Sequence, residues 1–322
     1  MFLYRKLKDK MYAKQGAPAP GYQSGQPYMF TGYQDPYTMN TQGQPPMGIP
    51  PPPFPLPPQN QPRSNPASTE IQQAQQELET IWEIPVAMKD QHEVEFYNRS
   101  ANFEDSLMNL QLILVIDHSG SMLMPDEDGT GQGRDKGMTG KPYWSRFDNL
   151  FQIAKYLAES LIEYDKDKNI PVYLFGNDVV RHDVKSMGEM LLKFKKVIPI
   201  DQQGTNLLGA LEKAFNDQVN DLENMMFIVI TDGTPNDGQV PRIKNLIQER
   251  IAKKDPTGKR LNMLFIRIGD DRNAIAFLKD LDDCKEVGDN VDTKSDNMVY
   301  KMGPKNLILN AIHEHLDKDY QD

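Results

Sequence analysis

The chain has 322 residues, a length that fits one or two domains. Its apolar share of 38% is below the globular norm, and the deficit falls on residues 1–67, where proline is dense and branched aliphatics are few. The formal net charge of −10, with no strongly basic face to balance it, argues against nucleic acid as a main partner.

Cys284 is the only cysteine, so no intrachain disulfide is expected and a cytoplasmic location is the natural reading. No signal-peptide-like apolar segment opens the sequence. No transmembrane segment is expected either, because no window approaches the roughly 20 apolar residues that span a bilayer. The short basic runs Arg5-Lys6-Leu7-Lys8 and Lys193-Phe194-Lys195-Lys196 read as solvated faces.

Residues 1–67 read as a disordered Pro/Gln/Tyr-rich tail, because such a composition buries too little apolar surface to offset chain entropy. Within it, Pro50 to Pro53, Phe54, Pro55, Leu56, Pro57 and Pro58 predict a polyproline II stretch. That stretch is a stiff linker or a ligand for SH3- or WW-type modules. Residues 68–107 read as a helix and connecting segment. Ser68 or Thr69 is expected to cap a helix through Ile71 to Leu78 that ends before Pro85, and 86–107 is ambiguous between a strand and an approach segment.

From about residue 108 to 322 the pattern is that of a domain. Strand-like apolar runs occur at 111–116, 171–175, 225–230 and 261–268. Helical periodicity occurs at 146–164, 205–218, 240–254, 272–281 and 304–318. Asp178 to Val184 reads as a hairpin strand and Lys185 to Lys196 as a further helix. Gly303-Pro304 is a start signal for the last helix. The alternation predicts an α/β fold with a doubly wound, mainly parallel sheet flanked by helices. In such sheets ligands bind beyond the carboxyl ends of the strands.

Two strand ends carry acids. Asp117-His118-Ser119-Gly120-Ser121 follows Leu112 to Ile116, and Thr231-Asp232-Gly233 follows Phe227 to Ile230. Thr205 lies between them in Gln203-Gly204-Thr205-Asn206. Two carboxylates and three hydroxyls suit a hard divalent cation such as magnesium or manganese.

Asp117-x-Ser119-x-Ser121 with a later threonine and aspartate resembles the metal-ion-dependent adhesion site of von Willebrand factor A (VWA) domains, over roughly residues 108–320. The resemblance implies metal coordination by Asp117, Ser119, Ser121, Thr205 and Asp232, directly or through water. It also implies an open position for an Asp or Glu carboxylate of a partner protein. A second block, Phe265-Ile266-Arg267-Ile268-Gly269-Asp270-Asp271 running on to Ala276 through Asp283, resembles the final strand and helix of A domains in tellurite-resistance and toxic-cation stress proteins. Those are also similar to the A domains of copines. This implies an intracellular module, with stress response as one setting.

Residues 122–144 form an insertion beside the proposed metal. Its Asp126, Asp128, Thr130 and Gly131 loosely match an EF-hand loop, but position twelve is Gly137 instead of glutamate, so calcium is not expected there. Gly140-Lys141-Pro142 fails as a phosphate-binding loop, Ser121 lacks the glycines of a hydrolase elbow, and His313-Glu314-His315 reads as a solvated helix face. His118, in an x position of the metal turn, is expected to point away from the ion. Trp144, Tyr143 and Phe147 read as packing around the first helix of the domain. No general base is evident, so a metal-dependent binding module is expected before a metal-assisted phosphoester hydrolase. A scaffold working through the tail is the other alternative.

Overall fold

The computed structural model describes residues 66–82, 110–126, 137–165, 167–197, 204–218, 224–254 and 260–312. The expected tail up to residue 65, the segment 86–107, the middle of the insertion at 127–136 and His313 to His315 lie outside the described residues.

In chain order the elements are helix α1 (Pro66–Thr80), strand β1 (Leu110–Asp117), a 3-10 turn (Gly120–Leu123), α2 (Arg146–Leu161), β2 (Ile170–Phe175), β3 (Val179–Val184), α3 (Met187–Lys196), α4 (Leu207–Asp217), β4 (Asn224–Thr231), α5 (Gln239–Lys254), β5 (Leu261–Arg267), α6 (Arg272–Asp282), β6 (Val291–Ser295), α7 (Asp296–Met302) and α8 (Pro304–Ile312). The six strands form one sheet in the order β3-β2-β1-β4-β5-β6. All neighbours are parallel except β3, which returns antiparallel beside β2.

Every residue of β1 is buried. A strand buried on both faces needs no polar alternation, which is why its sequence is a near-continuous apolar run. Its side chains divide by parity between two cores. Leu112, Leu114 and Ile116 pack with α1, α2, α3 and α8, among them Phe147, Phe151, Phe194 and Leu307. Ile113 and Val115 pack on the other face with Leu207, Leu211, Ile243 and Phe277 from α4, α5 and α6. The chain runs outward from β1 through β2 and β3, then crosses back to β4 and runs outward the other way. The strand order therefore reverses between β1 and β4, and at such a switch point the flanking loops diverge and leave a crevice.

Three expectations need correction. Helix α1 starts at Pro66, whose ring suits a first helical turn, so Ser68 and Thr69 lie inside the helix and do not cap it. The strand at 261–267 is not the last, because β6 pairs outside β5, and a short helix, α7, stands between β6 and the expected last helix. β6 has the sequence Val-Asp-Thr-Lys-Ser, without the apolar run that marks the other parallel strands. The helix starting at 146 stops at Leu161, short of 164.

Helix α1 packs against α3. Ala74, Leu78 and Trp82 join the first core, with Leu78 and Trp82 almost completely buried. Burial of each large apolar side chain contributes about 1.5–3 kcal/mol. Gly188 in α3 admits the helix closely: a Cβ there would lie 2.9 Å from the Ile71 carbonyl oxygen.

Candidate metal centre

Asp117 is the last residue of β1, and Thr231 and Asp232 end β4 and begin the loop after it. Register pairs Ile116 with Ile230, so the two strands deliver these residues side by side at the switch point. Asp117 and Asp232 are essentially without solvent contact, as is Ser119. Ser121 and Thr205 are half-buried.

Four of the five sequence-derived residues share one hydrogen-bonded chain. The Ser119 amide donates to Asp117 Oδ1 at 2.9 Å. The Ser119 and Ser121 hydroxyls lie 2.9 Å apart. The Ser121 hydroxyl donates to Asp232 Oδ1 at 2.8 Å. The 3-10 turn after Asp117 makes this possible, its first turn closed by the Met122 amide to the Ser119 carbonyl.

Thr205 is tied to the loop that follows β4. Asn236, just past Asp232, accepts from the Thr205 amide at 2.8 Å and returns its own amide to the Thr205 carbonyl at 3.1 Å. The Thr205 Oγ1 sits 3.7 Å from where a Cβ on Gly233 would be. Gly204 before it has φ +95° and faces Asn177 Oδ1, which a Cβ would meet at 2.5 Å. Both facts require glycine there. Asn206 then caps α4 through the Gly209 amide and is held by the Gly176 carbonyl and by Gln239. The loops after β2, before α4 and after β4 are thus tied into one wall.

Sequence reasoning missed two contributors. Thr231 donates its hydroxyl to Asp117 Oδ2 at 2.6 Å. Arg146, the first residue of α2, donates from Nη1 to Asp232 Oδ2 at 3.0 Å. Thr231 was visible beside Asp232, but nothing in the sequence separates a hydroxyl that orients a carboxylate from one that faces the core. Arg146 looks like any exposed residue at a helix start.

Burial pushes the Asp117 carboxyl up to about 7, with the nearby Asp232 charge adding to the effect and hydrogen bonds from Thr231 and Ser119 opposing it. Burial also raises Asp232, against hydrogen bonds from Ser121 and Arg146 and the Arg146 charge. The centre therefore holds two poorly solvated acids that a cation would stabilise. Among the described residues no three His, Cys, Asp or Glu side chains converge. The donor set is two carboxylates and three hydroxyls, which fits a small hard cation that keeps waters of its own.

His118 is buried, its amide donating to the Phe175 carbonyl at 2.8 Å. Burial lowers its imidazole below the ordinary histidine value, with the Phe175 backbone and Asp178 opposing the effect and His182 adding to it. Trp144 and Phe147 are core residues, and the Tyr143 hydroxyl donates to the Leu123 carbonyl at 3.0 Å. The two ends of the insertion meet in an antiparallel pairing of Pro125 with Ser145. Asp148 secures the returning end, accepting from the Met138 amide, the Thr139 hydroxyl and the Ser145 amide while Ser145 caps α2.

A six-stranded sheet with one antiparallel edge, and an Asp-x-Ser-x-Ser turn meeting a second aspartate at its switch point, decide the architecture. The chain has a VWA fold. Solved structures similar to it include the VWA domain of SpRpn10, at 12% identity and TM-score 0.39, covering 58% of this chain and 87% of that one. BatB from Bacteroides thetaiotaomicron is similar at 16% identity and TM-score 0.41, covering 63% and 98%. The vWF domain of the type V pili tip protein Mfa5 from Porphyromonas gingivalis is similar at 11% identity and TM-score 0.40, covering 67% and 97%. These likenesses concern the fold, and the reading of the site rests on the residues themselves. No family model matches the sequence, and no curated protein sequence matches it.

Proposed function

We propose that the VWA domain of this chain is a protein-binding module that holds a magnesium or manganese ion at Asp117, Ser119, Ser121, Thr205 and Asp232 and takes an Asp or Glu carboxylate of a partner. The observation that supports it most is the meeting of two buried carboxylates, from β1 and β4, with the Ser119 and Ser121 hydroxyls at the switch point of the sheet. Hydroxyl ligands add no charge. Two carboxylates therefore only balance a divalent ion, which stays electrophilic toward one more anionic ligand. The half-buried Ser121 and Thr205 leave that side of the cradle within reach of a partner.

Among the described residues no helix is long and apolar enough to cross a membrane. A cytoplasmic setting, with stress response as one role, is what the resemblance to tellurite-resistance and toxic-cation stress A domains suggests. We read the chain as a binding protein and not an enzyme.

The test is a lysate pull-down with the full chain, in magnesium and in EDTA, with Asp117→Ala alongside. The expected result is a partner captured by the wild type in magnesium and lost in both other arms. A partner retained by Asp117→Ala at wild-type yield would overturn the assignment. Repeating the capture with residues 1–60 deleted separates binding by the domain from binding by the proline-rich stretch.

A further inference from the structure

Arg146 is fixed more firmly than a residue at a helix start usually is. Its amide donates to the Met124 carbonyl at 3.0 Å. The capping box of Ser145 and Asp148 sets the turn on which it stands. Its guanidinium lies over Gly269, where a Cβ would meet Cζ and Nε at 3.1 Å, so a larger residue at 269 would push it aside. The fixed end of the side chain is aimed at Asp232 Oδ2, 3.0 Å away, and the arginine side chain is only 18% exposed against 0% for the aspartate. The other oxygen, Oδ1, accepts the Ser121 hydroxyl. Both oxygens of Asp232 are thus engaged, one of them by a full positive charge.

The formal charges have a consequence. Two carboxylates and a divalent ion alone would sum to zero. With both carboxyls ionised and the guanidinium beside them, the loaded cradle carries one net positive charge, and the empty one carries a single negative charge instead of two. We propose that Arg146 is a built-in cation of this centre: it neutralises Asp232 when no ion is bound, competes with the ion for Oδ2, and gives the loaded centre a positive charge that favours an anionic partner group. This rests on the metal-binding reading above. It predicts a site tuned for weak, exchangeable metal binding and for strong attraction of a carboxylate once loaded. Arginine suits the role because its planar fork can keep one donor on Asp232 while offering another outward.

The experiment is a manganese titration followed by electron paramagnetic resonance, on full-length wild type, Arg146→Gln, Arg146→Lys and the double variant Asp117→Ala/Arg146→Gln. Melting of each in EDTA runs in parallel. A unit charge within a few ångströms of a divalent ion, in a medium between water and protein interior, changes affinity by at least about tenfold. The expected result is that Arg146→Gln binds manganese at least about tenfold tighter than wild type. Arg146→Lys should stay near wild type and the double variant should lose binding. Arg146→Gln should melt below wild type in EDTA and recover with manganese.

Equal or weaker manganese binding by Arg146→Gln, with wild type binding normally, would overturn the role of Arg146 and leave the metal site standing. Binding by Arg146→Gln but not by wild type would support the arginine as the resident cation and overturn metal dependence of the native protein. No binding by either would overturn both.

Discussion

Asp117 and Asp165 are both buried aspartates beside β1, at its opposite ends. Asp165 follows α2 and bridges to Leu110, where β1 begins. Its carboxylate accepts the Leu112 amide at 2.9 Å and the Asn169 amide at 3.2 Å. Burial, with Asp167 beside it, raises it to about 6. Asp117 is also raised by burial, to about 7, but beyond the one Ser119 amide its company is hydroxyls and a second carboxylate. Asp165 accepts two backbone amides and so ties a loop to a strand. Asp117 is surrounded by groups whose lone pairs remain available to a cation. A buried acid with a raised pKa is thus no site by itself. What separates the two ends is whether the neighbours are donors that must be satisfied or oxygens that can turn to a ligand.

The comparison breaks most sharply under paired substitutions. Asp117→Ala should weaken manganese binding at least about a hundredfold, because an ion that loses one of two carboxylates loses half its counter-charge. Asp165→Ala should leave it unchanged. In urea unfolding with EDTA the order reverses. Asp165→Ala leaves the Leu112 amide buried without its acceptor and should cost about 2–4 kcal/mol, more than Asp117→Ala, which also removes one of two facing acids. Equal stability losses would mean that the two ends are not different in kind.

A pH series sharpens the same contrast. Both folded-state carboxyls titrate above their ordinary range, so between about pH 4 and 7 the folded chain holds protons that the unfolded chain has released. Their contribution to stability is therefore complete at the acid end and is lost as pH rises through the folded values. The midpoint of urea unfolding in EDTA should fall over that window. Manganese added at pH 8 should restore the share due to Asp117 and leave that due to Asp165.

Smaller effects should come from the wall of the cleft. Thr205→Ala should spare the fold and weaken manganese and partner binding by about tenfold, the cost of one oxygen donor to a charge. Asn236→Ala removes the hydrogen bond that positions the Thr205 loop without touching the ion, and about threefold is expected. Isothermal titration on purified variants reads both. An Asn236→Ala effect larger than that of Thr205→Ala would move the weight of the wall from the hydroxyl to the loop.

The parts legible in the sequence were those with a one-dimensional signature. β1 and β4 are apolar runs because both faces are covered, and the acid at or just past the end of each run stands at the switch point, where such sheets leave a crevice. The turn from Asp117 to Ser121 could be read because its residues are neighbours in the chain. The partnership of Arg146 with Asp232 could not, since 86 residues separate them and only the packing of α2 beside β4 brings them together. β6 was hidden for a different reason. Asp292 and Lys294 point to the same side of that edge strand and pair at 2.7 Å, both nearly buried, so charges occupy positions where a strand is expected to carry aliphatics. Helix α1 was foreseen, with Ala74 and Leu78 on its apolar face, but the third residue that joins it to the main core, Trp82, stands beyond the periodic stretch.

Trp82 carries one more consequence. The chain has two tryptophans, and their rings sit 5.1 Å apart at 43° to each other, both shielded from solvent. All of the indole absorption and emission of the protein comes from this pair. One ring stands two positions past the end of α1 and the other two positions before Arg146. Near-ultraviolet circular dichroism should carry the signature of coupled rings. Detachment of the helix should erase it and shift emission to the red, whereas a movement of Arg146 should change it with little shift in colour. The molecule has its own optical gauge, and it distinguishes opening of the body from rearrangement of the cleft without any added label.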